Sequence, residues 1–356
     1  MANDFQVSMG LESMPTSFWQ QSIFEKPRDR AISCHASAWD FCDARDYRIK
    51  QCTEVTQEEM INAHHELGHI QYNLQYRDQR FVFREGGNPA FHEAVGDVFA
   101  LSASTPENMQ RLGLLDPIEL SFESDINILF TKALDKVAFL PFSYLVDKYR
   151  YEVFRGTTWD SNLNKRWWEW RLWAQGVTPP IPRDDNDFDA GGKYHIPAGM
   201  PYIKNFLAMV LQFQLHSELC RVSGHQGPLH RCNLHGSRKA GRLLSSVMRL
   251  GKSRPWNEVI STLTGGRNNT FEAKPMLEYF SQLHNWLKSQ NRDEYIGWNS
   301  DETVVSPSAN LSTASVVTLW VLGIIFCIIV IVLCIIGIKR CKRADRDVIA
   351  ATDAAS

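Results

Sequence analysis

The run AHHELGHIQ at residues 63–71 constrains this chain more than any other stretch. Thr56 and Glu59 form a capping box, and apolar residues recur at Met60, Ala63, Leu67 and Ile70, so the run sits on a long amphipathic helix. His65 and His69 are four apart on that helix, so both imidazoles leave one face. Two of the ligands of a tetrahedral zinc need that geometry. Glu66 follows His65 directly and points beside the metal, where a carboxylate can take a proton from water. His64 falls off the face and reads as structural.

A catalytic zinc takes three protein ligands and leaves one position open. Glu93 lies in FHEAVGD, on a helix that Asn88 caps and Pro89 opens at its first position. Asp97 follows four residues later on the same face. Glu93 therefore reads as the third ligand, and Asp97 as the carboxylate that orients a ligand histidine. Phe91, Ala94, Val95 and Val98 around them indicate a buried helix, not a solvated acidic face.

The rest of the chain divides by composition. SCHASAWDF and DYRIKQCT read as two short strands joined by the turn-like CDAR. Helical patterns cover 126–154, 167–173, 200–222, 239–249 and 276–289. Residues 299–315 are polar and rich in Ser and Thr, as in a stalk. Residues 316–338 form a 23-residue run without a charge, long enough for a transmembrane helix. The KRCKR after it places residues 339–356 in the cytosol and the preceding chain outside. The expected location is thus the cell membrane, single-pass, with the N-terminus extracellular. Residues 1–20 hold no signal peptide, so the chain either lacks its true N-terminus or is a truncated product.

An outside location suits the cysteines. Cys34 with Cys52, and Cys220 with Cys232, enclose short loops and read as disulfides. Each contributes about 3 kcal/mol through loop entropy. Cys42 has no evident partner, Cys327 and Cys334 lie in the expected span, and Cys341 sits at its inner edge. Asn268 and Asn310 begin glycosylation sequons. A formal net charge of -2 gives no reason to expect nucleic acid as a partner.

HHELGHIQY, FREGGNPAFHEAVGDVFALSASTP, CHASAWDF, RIKQCT, ALDKVAFLPFSYLVD and SGHQGPLHRC, which occur in the family's order, resemble the angiotensin-converting enzyme family of zinc peptidyl-dipeptidases. The resemblance runs from about residue 3 to about residue 298 and corresponds to the C-terminal half of that family's catalytic domain. It implies a mainly α, gluzincin-type fold with a small β-hairpin whose edge strand lies beside the active-site helix. It implies zinc on His65, His69 and Glu93, with Glu66 as general base and His195 stabilising the transition state. His35 and Ala36 match the edge strand along the substrate, and edge pairing suits an extended peptide. Lys193 and Tyr202 match the grip on the substrate's C-terminal carboxylate. Asp135 and Phe139 match the pocket for its last side chain. Trp167 and Arg171 match part of a chloride site.

The chain also departs from the family. PYIKNF stands where the family reads roughly PYIRYF. Lys204 thus replaces the Arg of a second chloride site, keeping the charge and losing the bidentate fork. Asn205 replaces a Tyr whose hydroxyl serves the oxyanion. Met209 stands where a pocket Phe is usual. Two expectations follow: a membrane-anchored zinc metallopeptidase releasing C-terminal dipeptides from small extracellular peptides, with turnover lowered by Asn205 and by the missing half domain; or a zinc-holding cell-surface binding protein of the same family.

Overall fold

The computed structural model describes residues 1–298, apart from 118–120, 160–161 and 185. Two short helices, α1 (Ala2–Ser8) and α2 (Thr16–Gln21), precede a hairpin of β1 (Ser37–Asp40) and β2 (Tyr47–Lys50). Then come α3 (Gln57–Tyr76), α4 (Pro89–Ala103), α5 (Pro106–Arg111), α6 (Phe122–Lys136), α7 (Phe139–Phe154) and α8 (Leu163–Gln175). The described chain closes with α9 (Ile203–Ser223), α10 (Arg238–Met248), α11 (Trp256–Thr264), α12 (Lys274–Tyr279) and α13 (Ser281–Gln290).

The local signals act where their chemistry places them. Thr56 caps α3 by accepting from the Glu59 backbone N–H at 3.2 Å. The reciprocal half of the expected box is absent, because the Glu59 carboxylate accepts from Gln51 at 2.6 Å instead. Asn88 Oδ1 caps α4 by accepting from the Ala90 N–H at 2.9 Å, with Pro89 in the first turn. The pattern expected over 126–154 is two helices, and Pro141 supplies the reason. Proline has no N–H, and its ring would strike the carbonyl four residues back in a continuous helix. The chain therefore breaks at Val137 and Ala138 and restarts with Pro141 near the start of α7. The run at 276–289 likewise divides, at Phe280.

β1 and β2 pair antiparallel, with Ser37 opposite Lys50 and Asp40 opposite Tyr47. Tyr47 and Ile49 are buried and alternate with less buried neighbours, so one face of β2 packs inward. Ile23 bridges Lys50 on the far side of β2. Among the described residues β1 pairs with β2 alone, which leaves its outer edge open. The Cys34–Cys52 disulfide ties the ends of the hairpin, and Cys220–Cys232 ties the end of α9 to the loop that follows. Cys42 is an exposed free thiol.

The main core gathers Tyr72 of α3, Phe91, Val95 and Phe99 of α4, and Leu211, Leu215 and Leu219 of α9. Phe91 and Phe99 are fully buried and contribute about 1.5–3 kcal/mol each. At the α3–α4 crossing, a Cβ on Gly68 would meet the Gly96 Cα at 2.7 Å, so only glycine allows this approach. α6 is pinned from outside by Asp125, which accepts from Arg231 at 2.6 Å and lies 3.3 Å from His230 Nε2.

The expected fold class needs one correction. It included a C-terminal transmembrane helix, but among the described residues no helix is long and apolar enough to cross a membrane. The longest, α3 and α9, carry Glu58, Glu59, Lys204, Glu218 and Arg221, and such charges are costly in hydrocarbon. Residues 316–338, where the span was expected, lie outside the described residues, as do the stalk, the tail, Asn310, Cys327, Cys334 and Cys341. The fold is mainly α with one two-stranded hairpin, and the single-pass topology and cell-membrane location that rested on the span are not carried forward.

Candidate metal centre and cleft

α3 and α4 cross with their glycines in contact, and this brings Glu93 over the histidine face of α3. His65 Nε2 and His69 Nε2 lie 3.1 Å apart. Glu93 Oε2 is 3.8 Å from the first and 4.0 Å from the second. Tetrahedral zinc with bonds of about 2.0–2.2 Å sets its ligand atoms roughly 3.3–3.5 Å apart. The three donors therefore fit that ion. Among the described residues, His216, Cys220 and Cys232 are also close enough to ligate, but both sulfurs are joined in a disulfide.

Asp97 holds the His65 ring, its Oδ1 lying 3.2 Å from His65 Nδ1. This leaves Nε2 to face the metal position. Asp97 is itself held. Lys136 of α6 reaches Oδ1 at 3.3 Å, and Gln212 of α9 donates to Oδ2 at 3.0 Å. Burial alone would raise the Asp97 carboxyl, but Lys136 and His65 outweigh it and hold the group well below the carboxylate range. Burial likewise works against a charged His65, yet Asp97 leaves the ring raised. His69 is pushed down to about 4 by burial and by the neighbouring His65.

Glu66 is almost completely buried, and its Oε2 has no hydrogen-bond partner. Burial pushes its carboxyl up to about 7, with His65 pulling down and Glu93 pushing up. Glu93 accepts from Lys204 at 3.0 Å. Burial would raise Glu93, but His69 and Lys204 bring it below its ordinary value. The lysine expected at a chloride site is thus bonded to a candidate metal ligand.

His65, Glu66, His69, Glu93, Asp97 and Lys136 line one cavity of about 1430 Å³. Its walls include His35 and Ala36, β1 through Ser37, Ala38 and Asp40, the start of α3, and the cavity face of α6 including Asp135. The open edge of β1 therefore borders the centre.

The remaining expected residues lie outside the walls of that cavity, and several of them form a second cluster. Lys193 lies over the Tyr202 ring at 4.8 Å, and His195 packs edge-on to Tyr202 at 4.7 Å. Phe139 is 6.0 Å from Tyr202, ring to ring. His195 Nδ1 is buried without a partner. Burial lowers His195, helped by the charges of Lys193 and Lys204. Tyr202 is raised to about 12 by burial and then by Glu93, so the two clusters feel each other. Asn205 sits in the first turn of α9, its N–H donating to the Tyr202 carbonyl at 2.9 Å. Trp167 is buried, 5.4 Å from the Tyr149 ring. Arg171 lies over Phe142 at 5.2 Å with a buried, unpartnered Nε. Met209 Sδ accepts from Gln212 at 3.2 Å.

Sequence reasoning missed the groups that hold these clusters. Lys136 and Gln212 on Asp97 are two. The Asp147–Arg150 pair of α7 is another. Asp147 Oδ2 accepts from the N–H groups of Tyr202 and Ile203 at 2.7 and 2.6 Å, at the start of α9. Arg150 donates to the His195 carbonyl at 2.9 Å and to that of Met200. The only sequence signal was an acid and an arginine three apart on one helix. At the sequon, the Asn268 Oδ1 accepts from the Thr270 hydroxyl at 2.9 Å.

Comparison with known proteins agrees with the geometry. The sequence profile described as angiotensin-converting enzyme matches residues 1–298. The chain is 50% identical over 300 residues to angiotensin-converting enzyme of Mesocricetus auratus, covering 83% of this chain and 23% of that protein. The same protein of Bos taurus gives 50% over 300 residues, with shares of 83% and 23%. That of the leech Theromyzon tessulatum gives 46% over 286 residues, with shares of 80% and 46%. The chain thus spans about a quarter of the length of the two mammalian relatives just named. On a profile match across residues 1–298 and about half of all positions shared, this chain belongs to the angiotensin-converting enzyme family.

Proposed function

We propose that the cleft hydrolyses peptides as a zinc peptidyl-dipeptidase, releasing a dipeptide from a free C-terminus. The observation that carries this reading is the donor set of His65, His69 and Glu93 with the buried, unpartnered Glu66 carboxylate beside it. When bound, zinc supplies a Lewis acid that polarises the scissile carbonyl and acidifies water.

The chain's own residues do the rest. The open edge of β1, with His35 and Ala36, pairs with the extended substrate backbone. Lys193 and Tyr202 take its terminal carboxylate, and Asp135 and Phe139 flank its last side chain. A cation fixed two residues beyond the scissile bond explains a product of two residues. Glu66 removes a proton from the attacking water as the oxygen adds to the carbonyl carbon. The Glu66 carboxyl then gives that proton to the departing nitrogen as the C–N bond breaks. A carboxylate placed beside the attacking water can serve both halves of this exchange. His195 donates to the oxygen on which charge develops. Asp97 keeps His65 in one tautomer throughout.

Asn205 favours a second reading, in which the chain holds zinc and binds peptides without cutting them. Its short amide stands where the resemblance implies a phenol serving the oxyanion. One assay separates the two: release of a C-terminal dipeptide from a blocked tripeptide, with and without chelator. Chelator-sensitive release supports the enzyme. Zinc and peptide binding without release supports the binder.

A further inference from the structure

The α6 wall of the cavity presents two lysines one helical turn apart. Among the described residues, Lys132 and Lys136 are the only Lys or Arg side chains lining the cavity. Lys136 is committed, 3.3 Å from Asp97 and 3.5 Å from Asp135. Lys132 forms no hydrogen bond or ion pair among the described residues, and it is half-buried. Burial and the like charge of Lys136 push its ammonium down to about 8, with Asp135 and Asp97 pulling weakly the other way. Like charges four apart destabilise a helix, and partial loss of hydration adds to the cost. Asp135 and Asp97 offset this only at a distance, with no direct ion pair to Lys132 among the described residues.

On its own helix Lys132 shares the cavity wall with the neutral Asn127, Ile128 and Thr131 and with Asp135, which lies 3.5 Å from Lys136. Of the carboxylates at the metal centre, Glu93 is engaged by Lys204 and Asp97 by Lys136, and Glu66 is the one that moves the proton. A carboxylate arriving with the substrate would meet an ammonium that has no direct ion pair, in a partly dehydrated wall where a charge pair counts for more than in bulk water. We propose that Lys132 is a specificity residue that receives an acidic side chain of the peptide, so that this cleft selects substrates carrying glutamate or aspartate near the bond it cuts. This proposal rests on the peptidase reading of the cleft and names its substrate class.

The test uses the full chain loaded with zinc. Blocked tetrapeptides carry Glu or Gln, in separate peptides, at each of the last three positions. Cleavage is followed by kcat/KM, and binding of the same peptides by calorimetry. The expected result is a Glu-over-Gln preference of about tenfold at one position, in keeping with a partly desolvated charge pair. In Lys132→Met and Lys132→Gln that ratio falls to about one, and in Lys132→Glu it turns toward a Lys peptide. A wild-type ratio near one at all three positions overturns the proposal. So does a ratio that survives in both neutral variants. If no peptide is cut, the peptidase reading fails, and the calorimetric ratios still decide the role of Lys132.

Discussion

A single methyl group at the α3–α4 crossing should disable the metal centre. In Gly96→Ala the new Cβ would lie 2.9 Å from His65 Nδ1, 2.9 Å from the His65 carbonyl oxygen and 3.0 Å from Cε1. Comfortable contact begins at about 3.5 Å. The deficit is therefore about half an ångström, and two packed helices can meet it in only two ways. Either α3 and α4 separate by about that amount, or the imidazole turns away from Asp97. Zinc bonds tolerate about 0.2 Å of error, so either response spoils the donor set. Overpacking costs about 1–3 kcal/mol in stability. Disturbing the group that orients a ligand histidine costs about 10–100-fold in metal affinity.

The assay is zinc competition against a chromophoric chelator, with thermal unfolding measured in the metal-free state. Gly68→Ala is the companion variant. Its Cβ would meet the Gly96 Cα at 2.7 Å and Phe99 at 3.0 Å, wedging the same helices without touching the His65 ring. If helix spacing sets the ligand geometry, both variants lose zinc affinity. If the ring contact alone matters, only Gly96→Ala does. Wild-type zinc affinity with an unchanged melting temperature in both would refute the reasoning.

Three further outcomes follow from the same geometry. Glu66→Gln should lower kcat by about 10²–10⁴ while leaving the zinc dissociation constant within a few-fold, because Glu66 moves a proton and is not a ligand; a large loss of zinc would show that it holds the metal. Asn205→Tyr should raise kcat by about 10²–10³, the usual worth of one oxyanion donor, with little change in KM; unchanged turnover would remove Asn205 from the account of the reaction. Burial lowers His216 to about 4, against the accepting Leu229 carbonyl at 3.1 Å. The unfolded chain therefore binds the extra proton first as pH falls below about 6.5. The stability tied to this neutral ring is fully present above that pH and is lost on descent to about 4, amounting to about 3 kcal/mol. Urea midpoints for wild type and His216→Gln at pH 7 and 4.5 check this, and parallel declines would place the effect elsewhere.

What could be read from the sequence was whatever local geometry dictates. A four-residue spacing puts His65 and His69 on one face whatever surrounds them, and Thr56 and Asn88 cap their helices through bonds to residues two or three positions on. What escaped reading was which further side chains, from elements distant in sequence, hold those groups in place. Asp97 could be recognised as a carboxylate suited to orient a histidine, but its other partners, Lys136 and Gln212, are 39 and 115 residues away. No periodicity carries that information. The crossing glycines are the same case, since Gly68 and Gly96 look unremarkable until two helices need to touch. Lys204 shows how a resemblance can name a position and still miss its neighbour. Its place in PYIKNF implied a chloride ligand, whereas its ammonium bonds Glu93 across 111 residues. A shorter, single-pronged cation at that place reaches the metal ligand itself. The substitution therefore bears on how tightly Glu93 is held, and a reading confined to anion binding would not have looked there.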